Sequence, residues 1–455
     1  MDFFIPSGTS KGNEKGNLKW WQLSLVGVGC TIGTGFFLGS AIGIETTGPS
    51  IVFSFLLATI GTYIVYDLLA KMTAADPQEG SFCYYANKAY GRWASFSCGW
   101  NYWSSNILIM GSQLMALSIL TRFWFEHIPL WILAAGYSIL SIIVVLTGTS
   151  GFDKIENLLA IIKTAAIIMF IIIASFAIFG WMPKDVHHPG IPTTTHRLFP
   201  EGIRGFWASL IYAYYAFGGI EVIGLMAMRL KKKEDAPKAG MIMLIVLAII
   251  YILALLLAVT MDYYGAFSEK ESPFVTALEK YHLSFFPHVF NAAIIIAGFS
   301  TMTASLFGVT TLLVTLAKDG DAPALFSKKV KKWKSLPLPS LLLATIGLLA
   351  SIIAALVLPG KIYEYITTAA SILLLFNWGF IIISALRILT MSLLGRLLAL
   401  FGVALIVAAI SGTLVERTIR FGLFISLLFA AIISIVAFIL QKTVWKKTKK
   451  NKACS

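Results

Sequence analysis

Charge is what this sequence has least of. Only 13% of its 455 residues are Asp, Glu, Lys or Arg, 58% are hydrophobic, and the mean hydropathy is +0.81. Ordinary globular chains carry roughly 25% charged residues, so a water-soluble domain is excluded and an integral membrane protein is indicated. Cysteine is scarce too. The four present are Cys30, Cys83, Cys98 and Cys454, none at metal-ligand spacing, which leaves no basis for a disulfide framework or a zinc site. Also missing are a nucleophile–base pair, a phosphate-cradling glycine loop and a metal-binding cluster. The adjacent His187 and His188 fall in a loop, where solvation explains them better than ligation. An enzyme is therefore the least supported class, with no cofactor and no metal expected. No cleavable signal peptide is expected either, because the first apolar stretch has full spanning length and leads into others.

Long apolar runs are what the chain has in abundance. About 20 apolar residues cross the hydrocarbon core as a helix. On that template twelve spans are predicted, at about 20–43, 50–72, 94–120, 129–147, 156–181, 205–229, 239–262, 286–316, 339–358, 362–386, 396–413 and 420–441. The basic residues divide unequally between the connecting segments. With the N-terminus inside, 26 of the 36 Lys and Arg lie in inside segments, nine lie outside, and Lys163 falls within a span. Such asymmetry predicts that both termini are cytoplasmic. The net charge of +14 then faces the anionic inner leaflet, and no nucleic-acid partner is needed.

Glycine density marks the first span. The stretch Val26–Gly43 holds Gly27, Gly29, Gly33, Gly35, Gly39 and Gly43, although each glycine costs a helix interior roughly 1 kcal/mol relative to alanine. Two readings stand. One is a close-packing face, since Gly29 and Gly33 are four apart. The other is a helix break at membrane depth, tolerated only where the freed N–H and C=O groups line a cavity. The sixth span has its own interruption, Gly218-Gly219 within Tyr214–Gly224. Breaks in spans one and six are what an inverted five-plus-five repeat requires, and they favour the second reading. Of the loops, 75–93 reads as an amphipathic helix in the cytoplasmic interface. The loop 272–287, opening on Ser272-Pro273, reads as an external cap.

An ordered set of motifs then carries a family resemblance. It comprises Gly33–Ser40 (GTGFFLGS), Gly48-Pro49, Asp76-Pro77, Gly80–Phe82, Tyr85-Ala86, Gly99–Trp103 (GWNYW), Ile155-Glu156 with Lys163, Phe217–Glu221 (FGGIE) with Gly224, Pro237–Ala239 and Leu316–Pro323. Together these resemble the amino acid permeases of the amino acid–polyamine–organocation superfamily, in the bacterial and fungal amino-acid-transporter branch. The resemblance implies an all-α integral membrane protein of LeuT type with twelve transmembrane helices. A first five-helix repeat (20–182) and an inverted second one (205–386) each open on a discontinuous helix. Helices 11 and 12 (396–441) follow, flanked by cytoplasmic tails (1–19 and 442–455). The activity implied is secondary active uptake of an amino acid across a bacterial cell membrane, driven by a proton gradient. The partners implied are the amino acid and the lipid bilayer.

Carried over by position, the first break (Cys30, Thr31, Ile32, Gly33, Thr34 and Gly35) would receive the substrate carboxylate on backbone N–H groups. Carbonyls ending the preceding half-helix, with those around Phe217, Gly218, Gly219 and Ile220, would hold the ammonium group. Phe217 resembles an aromatic gate over the substrate, and a packed core ring is the plainer alternative. Lys163 matches a lysine that resembles a substitute for a sodium ion in proton-coupled relatives. An ammonium within a span is functional by default, yet Lys163 is near enough to the cytoplasmic end to snorkel. Glu221 is the second candidate for proton coupling, or an acceptor for the broken backbone.

Four positions depart from the family pattern. Cys30 replaces a glycine, Ala70-Lys71 a Gly-Glu pair, Arg229 an acidic residue and Thr311 an arginine. A glutamate and an arginine lost together would leave no unpaired buried charge. The departures keep two rivals open, a non-transporting amino acid sensor on a permease fold and an amino acid exchanger. A channel is weaker, because no ring of charges or repeated filter is visible. The apolar walls Phe217, Ile220 and Trp103 predict a neutral, apolar or aromatic substrate.

Overall fold

The computed structural model describes residues 19–78, 80–147, 149–181, 190, 193–221, 230–281, 283, 285–328, 337–357 and 362–445. His187, His188, Gly224 and Arg229 lie outside the described residues, as do the side chains of Cys30 and Glu156. Among the described residues the chain is helical, with no β-strand. Eight helical segments are long and apolar enough to cross a membrane: Thr34–Ala75, Arg92–Thr121, Ile161–Ile178, Lys233–Met261, Phe286–Lys318, Tyr363–Ile388, Leu393–Gly412 and Arg417–Thr443. Leu130–Leu146 and Leu338–Ile353 are apolar but shorter.

Taken singly, the helices are α1 (Trp20–Thr31), α2 (Thr34–Phe37), α3 (Gly39–Thr47), α4 (Ile51–Ala75), α5 (Ser81–Tyr90), α6 (Arg92–Thr121), α7 (Leu130–Leu146) and α8 (Thr149–Ile178). Then come α9 (Thr195–Leu198), α10 (Gly202–Ala216), α11 (Ala236–Met261), α12 (Pro273–Leu278), α13 (Phe286–Lys318), α14 (Leu338–Val357), α15 (Ile362–Ile388), α16 (Leu393–Gly412) and α17 (Arg417–Leu440). Local chemistry sets several boundaries. Pro237, Pro273 and Pro287 sit in the first turns of α11, α12 and α13, where a missing N–H removes no helical bond. Gly91 alone separates α5 from α6, with φ +88°, a conformation that disfavours any residue with a β-carbon.

The distribution of side chains is that of a protein solvated by lipid. Phe424, Leu428, Ile435 and Ile439 of α17 and Leu397 and Leu400 of α16 are exposed. An apolar surface of that kind invites association in water and is ordinary contact in hydrocarbon. In the interior, small and polar residues sit among buried rings such as Trp378 and Phe36 and let helices approach closely. Gly240 of α11 lies against the Tyr66 ring of α4, and Gly298 of α13 against Thr34 and Leu117. Tyr66 donates to the Ala236 carbonyl at 2.7 Å, and the Ser54 and Ser209 hydroxyls share a bond at 2.8 Å. Thr31, Thr73 and Thr310 turn their hydroxyls onto the carbonyl four residues earlier, which satisfies them without water. Near the centre, α6 packs along both α13 and α15.

The loop helices differ in where they rest. α5 buries Phe82, Tyr85, Ala86 and Ala89 and packs on α6 and α15, leaving Asn87 and Lys88 exposed. The expected helix is present, and its apolar face meets protein. Every residue of α12 is buried. Its Phe274 ring lies 5.1 Å from Phe36 and 4.7 Å from Phe170, so this segment is wedged over α2.

Candidate functional site

The first break falls at Ile32 and Gly33. Both residues are extended there, with ψ 110° at Ile32 and φ −150°, ψ −168° at Gly33. α1 ends with the Ile32 N–H bonded to the Val28 carbonyl at 3.1 Å. α2 then starts afresh, and the Gly33 carbonyl accepts from the N–H groups of Phe36 and Phe37 at 3.1 and 3.2 Å. Such a break leaves the C=O groups of Gly29, Cys30 and Thr31 at one helix end and the N–H groups of Thr34 and Gly35 at the next without helical partners. It is narrower than the predicted Cys30–Gly35, because Cys30 and Thr31 remain helical.

The second break follows α10. The N–H groups of Phe217 and Gly218 bond back to the carbonyls of Tyr214 and Tyr215 at 3.1 and 3.0 Å. Gly219 then takes φ +107°, open to glycine and strained for other residues, and helix resumes at Ile220. Glu221 closes this turn. Its buried carboxylate accepts from the Gly219 N–H at 3.2 Å, from the Tyr102 hydroxyl at 3.2 Å and from the Trp378 indole N–H at 3.3 Å. Donors from two other helices thus stabilise a carboxylate in the bundle interior, and one from its own turn holds the break in shape.

The two breaks are in contact. A β-carbon on Gly35 would stand 2.9 Å from Tyr215 Cδ1 and 3.4 Å from the Tyr215 carbonyl oxygen. Tyr363 donates to the Thr34 carbonyl at 3.4 Å, and Tyr251 to the Ala216 carbonyl at 3.2 Å. The Tyr251 ring stacks on Phe36 at 3.8 Å and lies 5.3 Å from Phe217, whose ring is 6.2 Å from Phe55. Phe217 is fully buried in this aromatic cluster, so in this conformation its ring is a packed one.

Lys163 does not snorkel. Its side chain is completely buried, and its ammonium donates to the Ser300 hydroxyl of α13 at 3.1 Å. The next residue, Thr301, lies against Gly33, 3.2 Å from where a β-carbon would be. The buried Gln113 donates to the Thr301 hydroxyl at 3.0 Å, and its neighbour Ser112 shares a hydrogen bond with the Tyr215 hydroxyl at 2.5 Å. Two adjacent residues of α6 thus connect the breaks, Ser112 directly at Tyr215 and Gln113 through Thr301. Sequence reading missed Ser112, Gln113, Tyr215, Thr301, Tyr363 and Trp378. A glutamine inside an apolar span was a usable signal for one of them. The Trp103 ring packs 5.6 Å from Trp100, whose indole N–H donates to the Asp321 carbonyl.

Of the departures from the family pattern, Lys71 and Thr311 are satisfied locally. Lys71 pairs with Asp67 at 2.6 Å, and Thr311 bonds the Phe307 carbonyl of its own helix at 2.9 Å. Among the described residues no group of three or more His, Cys, Asp or Glu could hold a metal ion.

Comparison with known proteins agrees with this architecture. The chain is 52% identical over 436 residues to the uncharacterized transporter YcgH of Bacillus subtilis, covering 96% of this chain and 97% of that one. It is 30% identical over 380 residues to the aromatic amino acid transport protein AroP of Corynebacterium glutamicum, covering 82% and 81%. To the gamma-aminobutyric acid permease of Bacillus subtilis it is 27% identical over 384 residues, covering 83% and 81%. The amino acid permease profile matches residues 22–453. A membrane protein with two broken helices in contact, a buried lysine beside one and a buried carboxylate closing the other, this chain belongs to the amino acid permease family.

Proposed function

We propose that the chain takes up a neutral, apolar or aromatic amino acid across a bacterial cell membrane by alternating access, coupled to an inward flow of protons. The observation that carries this reading is the contact of the two breaks at Gly35 and Tyr215. It brings the free N–H groups of Thr34 and Gly35 close to the carbonyl end of α10, a pair of opposite helix-end dipoles that suits a zwitterion. The carboxylate would sit on the N–H groups of the first break and the ammonium on the carbonyls of Gly29 to Thr31 and of the turn at Phe217 and Gly218. Relatives named for aromatic amino acid transport and the ring cluster of Phe36, Phe55, Phe217 and Tyr251 support an apolar or aromatic side chain. Lys163 and Glu221 are the groups proposed to exchange the coupled proton, since an ionisable residue inside a span is functional by default. The architecture proposed is a LeuT-type five-plus-five inverted repeat of twelve spans, over 20–182 and 205–386, with two more over 396–441 and both termini cytoplasmic.

The test is uptake of a panel of radiolabelled amino acids into proteoliposomes with and without an inward proton gradient. Accumulation of one class that depends on the gradient, and is abolished by Lys163→Ala and Gly33→Leu, is the expected result. Binding without accumulation under any gradient would overturn transport. Uptake that ignores the gradient and survives Lys163→Ala would overturn proton coupling through that residue.

A further inference from the structure

We infer that Gln113 determines substrate specificity, its amide oxygen accepting from an N–H or O–H at the tip of an otherwise apolar substrate side chain. This assignment rests on the uptake proposed for the chain, and it narrows the substrate to a tyrosine- or tryptophan-like amino acid. Three elements meet at Gln113. On α6, Gln113 and Leu117 stand one turn apart, as do Gly298 and Thr301 on α13. The Gln113 amide nitrogen donates to the Thr301 hydroxyl at 3.0 Å, and a β-carbon on Gly298 would stand 2.9 Å from Leu117 Cδ2. The first break lies along the same two residues of α13. Thr301 is 3.2 Å from where a β-carbon on Gly33 would be, and the Thr34 methyl is 2.5 Å from the same position on Gly298.

The hydrogen bonds fix which end of the amide is spare. The Thr301 hydroxyl has one proton, turned toward the carbonyls of Ala297 and Gly298 at 3.2 and 3.0 Å. It can therefore only accept from Gln113, so the amide nitrogen faces Thr301 and the oxygen Oε1 is left over. Oε1 is buried with no hydrogen-bond partner among the described residues, and Gln113 as a whole is only 6% exposed. A buried amide oxygen calls for a donor. The buried Thr34 hydroxyl also has no partner among the described residues, but a hydroxyl can donate or accept and so selects nothing. The Gln113 oxygen can only accept. In the proposed uptake the substrate carboxylate and ammonium are both answered by backbone groups of the two breaks. The side-chain acceptor beside them falls to the remaining substituent. Leu117 and the methyl groups of Thr34 and Thr301 line the same junction. The substituent that fits is thus apolar along its length with one donor at its tip, as in tyrosine and tryptophan. Phenylalanine would leave Oε1 buried without a donor.

The experiment is calorimetric titration of the purified full-length protein in detergent with phenylalanine, tyrosine and tryptophan, in the absence of any proton gradient. Tyrosine or tryptophan is expected to bind at least about tenfold more tightly than phenylalanine, as in sites built around a substrate O–H or N–H. Gln113→Leu should erase that preference by weakening the donor-bearing amino acid, with phenylalanine bound as before or better. Phenylalanine bound by the wild type as tightly as the other two, or a preference that survives Gln113→Leu, would overturn the assignment. If Gln113→Leu does not fold, Gln113→Met, which keeps the length of the side chain without its amide, takes its place under the same two criteria. Binding of no amino acid at all would instead overturn the uptake on which the assignment rests, so the two failures are told apart.

Discussion

Gly35 lies against the ring of Tyr215, close enough that a β-carbon would stand 2.9 Å from Cδ1, and through this contact the two interrupted segments are held together. Gly33 is less tightly enclosed, with the Thr301 side chain 3.2 Å from where its β-carbon would be. Gly35→Ala is therefore expected to destabilise by about 1–3 kcal/mol, the usual range for overpacking, and Gly33→Ala by less, because a threonine side chain yields more easily than a packed ring. Thermal unfolding of the two variants in detergent, side by side, checks the order. Equal losses would show that the Tyr215 contact does not govern the fit.

Glu221 answers three donors. Removing the acceptor leaves the Tyr102 hydroxyl, the Trp378 indole and the Gly219 N–H buried without it, at about 1–3 kcal/mol for each donor left unpaired. Glu221→Ala should lower the unfolding temperature more than Glu221→Gln, which keeps one acceptor oxygen. If Glu221 also moves the coupled proton, Glu221→Gln should bind substrate yet lose the gradient dependence of uptake. Gradient-driven accumulation by that variant at the wild-type rate would confine Glu221 to a structural role.

At the start of α6, Arg92 bonds the Asp321 carboxylate at 2.8 Å and the Asp319 carbonyl at 3.0 Å, and lies 5.1 Å from the Trp445 ring centre. Burial pushes the Asp321 carboxyl above its ordinary range, and Arg92 pulls against that shift. Arg92→Gln leaves a carboxylate that is almost fully enclosed, so a loss of roughly 1–3 kcal/mol is expected near neutral pH. A raised carboxyl pKa means that the native state holds its proton more tightly than the unfolded chain, so the deficit should shrink as the pH falls through the raised value. Adding Asp321→Asn should recover most of the deficit. Unfolding curves for the single and double variants across an acid-to-neutral series measure both effects.

The Asp76–Lys88 pair, at 2.5 Å, has the opposite sign. A hydrogen bond from Lys88 holds the Asp76 carboxyl below its ordinary range, and the same bond raises Lys88. The aspartate contribution is complete above its unfolded pKa of about 3.9 and is lost as the pH falls through the lower folded value. The lysine contribution is complete below about 10.4 and is lost as the pH rises through the raised folded value. Asp76→Asn should therefore cost a small, constant amount of stability between these limits and converge on the wild type below them. Both groups face solvent, and the effect should fade with added salt.

Much of this was legible from single segments. The apolar runs and the glycine cluster placed the first break to within three residues, and Gly218-Gly219 placed the second. Glu221 and Lys163 stood out as ionisable groups where none is tolerated idly. The donors to Glu221 did not stand out: Tyr102 and Trp378 are 119 and 157 residues away, and a tyrosine or tryptophan in an apolar span carries no mark of its partner. The same holds for Gln113 and Thr301, which bond each other across 188 residues, with Thr301 against Gly33. Amphipathicity identified α5 as a helix with one apolar face, but the pattern is the same whether that face meets lipid or the flank of α6.

The sequence by itself determined where the backbone is helical and where it breaks. In hydrocarbon each N–H and C=O must find a partner nearby along the chain, so Gly33 and Gly219 carry their consequences locally. Only the tertiary structure decided that the two breaks touch, that Lys163 turns inward to Ser300 and that Tyr102 and Trp378 converge on Glu221. Those contacts depend on how helices distant in sequence pack their small and large residues against one another, and no local pattern records which partner fills which gap.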